Sequence, residues 1–224
     1  MPTLVAPRLD VLPPSQRALW TELAAVPPGF VLYGGTAIAL RYGHRHSVDF
    51  DFFSHGAFDP DALMQQIPFL AGAAVVQSAA NTLTCHVTRG RPVAVSFFGV
   101  PRLGQVAEPD TVEGTTLRIA SPLDLAGTKV SVVQRRSEMK DYLDIDALLA
   151  AGVGLPEALA AGAAIYGDVF NPQITLKALC YFDDMELAAL PQSVRHRLVT
   201  AVAAVDLDRL PTLTPLKPPG VVRR

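Results

Sequence analysis

Between residues 34 and 51 the chain sets bare backbone and carboxylates in a pattern suited to phosphate and metal chemistry. The stretch reads GGTAIALRYGHRHSVDFD. Gly34-Gly35-Thr36 follows a short apolar run from Phe30 to Tyr33, and Asp49 and Asp51 sit on a second apolar run from Val48 to Phe53. Two glycines let the backbone approach phosphate oxygens closely, and the N–H groups at a helix start favour anions. Carboxylates at i and i+2 on a strand point to the same face, a few ångströms apart. Like charges that close repel, so the pair calls for a bound cation or a shared proton. Hard carboxylate oxygens suit Mg²⁺, which keeps several waters and binds through one or two carboxylates plus substrate phosphates. Val48, Phe50, Phe52 and Phe53 make the strand look buried on one face. Two aspartates on its other face are then an unfavourable placement unless they serve something.

The elements that must hold this pattern can be read from periodicity. Ser15 to Val26 has helical spacing at Leu19, Trp20, Leu23 and Val26, with Ser15 as the cap and Pro27, Pro28 and Gly29 as the stop. A strand over Phe30 to Tyr33 leads through the glycine turn into a helix from about Thr36 to Tyr42. Val48 to Phe53 is the next strand, and Asp59 to Ile67 a helix with Pro60 in its first turn. From Ala73 to Phe98 apolar residues alternate with small or polar ones around Asn81 and the Arg89-Gly90-Arg91 tip, which predicts a meander of strands. A short strand follows around Thr115 to Ile119. After Ser121-Pro122 the pattern is helical, and Pro156, Pro172 and Pro191 open later helices. The expected organisation is therefore an α/β core over residues 1–120 and a helical region over 121–210 that completes the active-site cleft. A proline-rich, loosely held tail fills 211–224.

Composition narrows the classes. With 224 residues, half of them hydrophobic, the chain can bury a proper core. A formal net charge of -2 argues against a protein whose main task is to coat a nucleic-acid backbone, although a local basic patch is compatible with it. Cys85 and Cys180 lie far apart in no metal-ligand spacing, as expected of two buried thiols in a reducing cytosol. The N-terminus lacks the pattern of a signal peptide, and the Ala-rich stretch from Ala147 to Ile165 is broken by Gly152, Gly154, Pro156 and Glu157. A cytoplasmic protein without membrane association is the expectation.

GG[ST] followed about a dozen residues later by Asp-x-Asp resembles the signature of nucleotidyltransferases with the DNA-polymerase-β-like fold. The fuller string GGTAIALRYGHRHSVDFDFFS is similar to the AbiEii/AbiGii abortive-infection toxin branch of that superfamily. SPLDLAGTKVSVVQRRSEMKDYLDI agrees with it, matching a helical lysine, a basic stretch and a Lys/Arg-Asp-x-x-Asp motif. FNPQITLKALCYFDDME resembles the family's C-terminal helical end, so the likeness spans roughly residues 25 to 190. It implies an α+β fold in which a mixed sheet flanked by helices precedes a helical C-terminal region. It also implies that Gly34, Gly35 and Thr36 hold the phosphates of a nucleoside triphosphate. Asp49 and Asp51 would bind Mg²⁺, with Mn²⁺ as the alternative ion. Lys129 would meet the triphosphate as a mobile point charge, and Asp141 would act on the incoming nucleophile or brace the site. Asp144, on the same helix face as Asp141, would take part with Lys129 in binding the nucleotide. Arg41, His44, Arg45 and His46, between turn and carboxylates, would contact phosphate or acceptor, with His44 and His46 more peripheral.

The relatives usually carry a third carboxylate on a neighbouring strand. Here the corresponding strand, PVAVSFFG, offers Ser96, and Glu108 and Asp110 lie downstream in a proline-flanked loop. The leading expectation is an Mg²⁺-dependent transfer of a nucleoside monophosphate to a hydroxyl. The acceptor would be RNA, tRNA in particular, or a protein, in a toxin neutralised by a cognate antitoxin. Arg89, Arg91, Arg135, Arg136 and Lys140 would supply a modest basic surface for RNA. Two other readings stay open: a catalytically weak nucleotide-binding or interaction module of the same fold, and a small-molecule transferase of the aminoglycoside-modifying kind.

Overall fold

The computed structural model describes residues 3–217. The chain divides into two compact units. One comprises Met1–Arg102 and Pro109–Ala120, the other Leu103–Glu108 and Ser121–Arg224.

The first unit is built on an eight-stranded mixed sheet. Its strands are β1 (Leu4–Val5), β2 (Val31–Tyr33), β3 (Asp49–Ser54), β4 (Ala74–Ala79), β5 (Thr82–Arg89), β6 (Arg91–Gly99), β7 (Asp110–Val112) and β8 (Arg118–Ile119). Their spatial order is β1-β7-β8-β2-β3-β6-β5-β4. β4, β5 and β6 form the predicted antiparallel meander, while β3 runs antiparallel to β2 and parallel to β6. Register explains the one-sided character of this sheet. Leu32, Phe52, Phe97 and Leu83 are successive cross-strand partners, as are Phe50, Val95 and Cys85, and all are buried. Because side chains alternate with period two, the intervening residues share the opposite face. Tyr33, Asp51, Ser96 and Thr84 form one row there. Helices α1 (Pro14–Trp20), α2 (Gly34–Tyr42) and α3 (Pro60–Gln66) belong to this unit. Asp59 caps α3 by accepting the Ala62 N–H at 2.9 Å.

Several local expectations are corrected. α1 starts at Pro14 with Pro13 as its N-cap, two residues before the predicted cap, and ends at Trp20, where a 3-10 turn continues to Ala25. Ser15 is not its cap, for its hydroxyl oxygen accepts the Arg91 N–H at 3.1 Å. Val48 is 51% exposed and precedes the strand, so the apolar face of β3 rests on Phe50 and Phe52. Asp110 lies in a strand rather than a loop. Cys180 is exposed, so only Cys85 matches the expected buried thiol.

The second unit is helical: α4 (Pro122–Val132), α5 (Met139–Ala150), α6 (Leu155–Tyr166), α7 (Pro172–Leu179), α8 (Met185–Ala188) and α9 (Gln192–Ala203). Gly127 lets α4 come close to α6, for a Cβ there would stand 2.9 Å from Ala161 atoms. Asp146 takes two hydrogen bonds from Arg197, at 2.7 and 2.6 Å, which joins α5 to α9. Asp124, 1% exposed, accepts the Ser121 hydroxyl at 2.6 Å and the N–H groups of Val106 and Ala107 at 3.0 and 2.9 Å. Burial pushes its carboxyl above the usual range despite these donors. The tail is held at Lys217, which pairs through both backbone groups with Gln105 at 2.8 and 3.2 Å; residues 218–224 of it lie outside the described residues. No single helix among the described residues is long and apolar enough to cross a membrane.

Candidate active site

In the first unit the glycine turn and the paired aspartates come together through β2, α2 and β3. α2 begins at Gly34, two residues before the predicted start, and its N-cap Tyr33 makes no side-chain capping hydrogen bond. Gly34 has φ +74°, a conformation that disfavours residues bearing a Cβ. A Cβ there would stand 3.0 Å from Asp51 Oδ2. Bare backbone at a helix start is thus brought against a strand carboxylate. Asp49 is exposed and Asp51 half-buried, while Phe50 between them is fully buried, as the alternation requires.

Thr36 departs from its expected role. It is 3% exposed, and its hydroxyl donates to the Asp49 backbone carbonyl and lies 2.7 Å from Ser47 Oγ. The side chain therefore fastens α2 to the start of β3, and what Thr36 offers an anion is its backbone N–H. Arg45 donates to the His46 carbonyl at 2.9 Å, and His46 Nδ1 lies 3.0 Å from the Val11 carbonyl. Arg41 is turned into the unit and engaged there. Its side chain is 7% exposed, and Nη2 donates to Asp110 Oδ2 at 2.7 Å and to the Ala120 carbonyl at 2.6 Å. Burial works to raise the Asp110 carboxyl, but hydrogen bonds from Thr3 and Arg41 outweigh it and leave the group below its ordinary value. Asp110 is thereby committed to structure. The register partner of Asp51 on β6 is Ser96, 7% exposed, so a hydroxyl occupies the place of the third acid. Among the described residues no group of three His, Cys, Asp or Glu side chains has metal-binding geometry.

In the second unit, Lys129 on α4 meets Asp141 and Asp144 on α5. Its Nζ lies 2.7 Å from Asp141 Oδ1 and 2.6 Å from Asp144 Oδ2; the lysine side chain is 7% exposed and both aspartates are fully buried. Lys129 is thus a fixed, charge-compensated cation and not a mobile one. Asp141 is further held by Arg136, whose Nε donates to Oδ2 at 2.8 Å and Nη2 to Oδ1 at 3.1 Å. Both oxygens of Asp141 are thus engaged by cations, Oδ1 by Lys129 and Arg136 and Oδ2 by Arg136. The i, i+3 spacing on α5 that sets Asp141 and Asp144 on one face is legible in the sequence. Their shared lysine and the return of Arg136 are not, because both depend on how α4 and α5 pack.

The expected basic surface is largely paired. Arg89 makes two 2.6 Å hydrogen bonds to Glu22, and Lys140 lies 2.7 Å from Glu138, which also neighbours Arg136 Nη1 at 3.3 Å.

The chemistry of the donor set fits a hard divalent cation at Asp49 and Asp51: two carboxylates on one sheet face, one of them close against the bare Gly34 backbone at a helix start. The fit is to a site with two protein carboxylates.

The family model described as "Nucleotidyl transferase AbiEii toxin, Type IV TA system" matches residues 17–208. An uncharacterised protein of Aquifex aeolicus is 31% identical over 158 residues, covering 69% of this chain and 74% of that protein. Among solved structures, a Helicobacter pylori protein described as a nucleotidyltransferase has a TM-score of 0.52 at 20% identity, covering 84% of this chain and 90% of its own. The nucleotidyltransferase toxin MenT4 of Mycobacterium tuberculosis has a TM-score of 0.55 at 14% identity, covering 85% and 84%. At these identities the structural matches speak for the fold, which is the polymerase-β-like one expected from the sequence.

Proposed function

Since the chain belongs to the AbiEii nucleotidyl transferase toxin family, we propose that it moves a nucleoside monophosphate from a nucleoside triphosphate to a hydroxyl group, releasing pyrophosphate. The observation that carries this reading is the approach of the Gly34 backbone to Asp51 Oδ2. Phosphate oxygens and a cation ligand are wanted side by side in phosphoryl transfer, and this contact supplies both. The N–H groups of Gly34, Gly35 and Thr36 receive the terminal phosphates, and Arg45 adds charge near them. Asp49 and Asp51 hold Mg²⁺, or Mn²⁺ in its place. When bound, such an ion neutralises phosphate charge and orients the α-phosphate for in-line attack. Thr36 positions Asp49 by fixing the backbone from which its side chain projects. Lys129, Asp141 and Asp144 act as a positioning cluster.

The acceptor proposed is an RNA, tRNA first, with a protein hydroxyl as the alternative; the family description further supports a cognate antitoxin. The test is incubation with each nucleoside triphosphate labelled at the α-phosphate, Mg²⁺ and total tRNA, beside an Asp49→Ala/Asp51→Ala control. Label on RNA or on the protein, lost in the control, supports the transferase and names the acceptor. A specific observation keeps a second reading in play, for Ser96 stands where the third acid is expected. Triphosphate binding without any label transfer would favour a nucleotide-binding module.

A further inference from the structure

We infer that Arg136 is a phosphate-binding side chain, oriented by the buried cluster behind it. A guanidinium carries five N–H donors in a planar fork with two edges, each able to engage a two-oxygen acceptor. One edge, Nε with Nη2, is held by Asp141 at 2.8 and 3.1 Å. Asp141 is fully buried and is itself fixed by Lys129, so the plane of the guanidinium is set from inside the unit. The side chain nevertheless remains 45% exposed. The second edge, Nη1 with Nη2, therefore has donors left for a ligand. Glu138 lies 3.3 Å from Nη1, is half-exposed, and shares its other oxygen with Lys140 at 2.7 Å. It contests one corner of that edge without closing it.

The arginine end reaches the surface while the carboxylate is sealed, which leaves the fork where an anion from solvent can meet it. A fixed, always-charged fork is the arrangement that recognises phosphate, because little side-chain freedom remains to be lost on binding. The ligand chemistry is a phosphate group, borne either by a triphosphate or by an RNA backbone. The choice of that class rests on the nucleotidyl-transfer reading.

The experiment is calorimetric titration of the full-length protein in metal-free buffer containing a chelator. The probes are inorganic tripolyphosphate, ATP and a short single-stranded RNA, with thermal unfolding recorded for every variant. Arg136→Ala should weaken at least one probe by about tenfold to a hundredfold, the range for losing charged hydrogen bonds. Arg136→Lys, which keeps the charge and loses the fork, should recover only part of it. Glu138→Gln should bind more tightly than the wild type. Arg209→Ala, which removes the same charge at an 86% exposed site, should bind as the wild type does. A loss confined to tripolyphosphate and ATP assigns the site to the nucleotide, and a loss confined to RNA assigns it to the acceptor. Wild-type binding to none of the three probes, or an Arg136→Ala variant that melts earlier but binds unchanged, overturns the inference. Binding in chelator does not involve Asp49 or Asp51 as metal ligands. Absence of label transfer together with Arg136-dependent binding would therefore refute the transferase reading alone.

Discussion

Replacing Lys129 with methionine probes the buried cluster most directly. Methionine retains much of the stem volume and removes the charge, so the change is electrostatic. Nζ sits 2.7 and 2.6 Å from two fully buried carboxylates. Removing one partner of a buried pair costs about 3–5 kcal/mol, because a charge is left in a medium that solvates it poorly. Arg136 still compensates Asp141 when the lysine charge is gone. Against a total stability of about 5–15 kcal/mol this is a large fraction. At about 2–4 °C per kcal/mol for chains of this size, the expected fall in Tm is about 6–20 °C. Adding Asp144→Asn to the variant removes one of the two carboxylates that Lys129 compensates and should restore part of the loss. That coupling distinguishes an ion pair from a packing defect. Far-UV circular dichroism follows the helices, while the fluorescence of Trp20, the single tryptophan, follows the first unit separately. A Lys129→Met protein within about 0.5 kcal/mol of wild type, the range for surface substitutions, would refute the reasoning.

Gly34→Ala should destabilise by about 1–2 kcal/mol from the left-handed backbone alone, and should reduce metal-dependent triphosphate binding by more than its melting shift implies, because the new Cβ presses on Asp51 Oδ2. Equal melting and equal binding would remove the glycine from the site. Ser96→Asp, at the register position beside Asp51, should tighten Mn²⁺ binding measured by paramagnetic resonance and lower the melting temperature of the metal-free protein through like-charge repulsion; unchanged Mn²⁺ affinity would show that the position does not face the ion. Asp110 has a depressed carboxyl, so its contribution is present above the ordinary aspartate range and is lost as pH falls through the lower folded value. The stability gap between wild type and Asp110→Asn, measured by urea unfolding, should therefore narrow in acid, and a gap that widens would contradict the sign. For Asp124 the shift is upward, so ionising it works against folding. The gap between wild type and Asp124→Asn should move against the wild type as pH rises through the aspartate range.

How far the sequence carries depends on how local the cause is. The Asp49/Asp51 face and the antiparallel meander are set by two-residue periodicity and turn chemistry and are present as read, while the glycine turn is drawn into the first turn of α2. Ser96 could even be picked out as the missing acid before its register beside Asp51 was known. β1, β7 and β8 have only two or three residues each, too few to show a period, and they exist through non-local pairing. The same cause hides the fate of single side chains. Thr36 and Arg41 lie in a stretch whose chemistry is plain, yet one hydroxyl pins a strand and one guanidinium neutralises Asp110. Lys129 is ambiguous between a substrate cation and an internal counterion until α4 and α5 are packed.

The short segment Leu103–Glu108 has a consequence for how this protein can be cut, permuted or recombined. It belongs to the second unit, where Asp124 receives its N–H groups and Gly104 donates to the Ile165 carbonyl at 2.8 Å. The chain then returns to the first unit for β7 and β8 before leaving it again at Ser121. Neither half is therefore a cassette. A fragment beginning at Ser121 lacks the donors that solvate Asp124, and one ending at Arg102 lacks two strands of its sheet. On the ribosome, the first unit cannot complete itself until residues on both sides of that excursion have emerged, and gene fusions that treat residue 120 as a clean seam would inherit two unfinished cores.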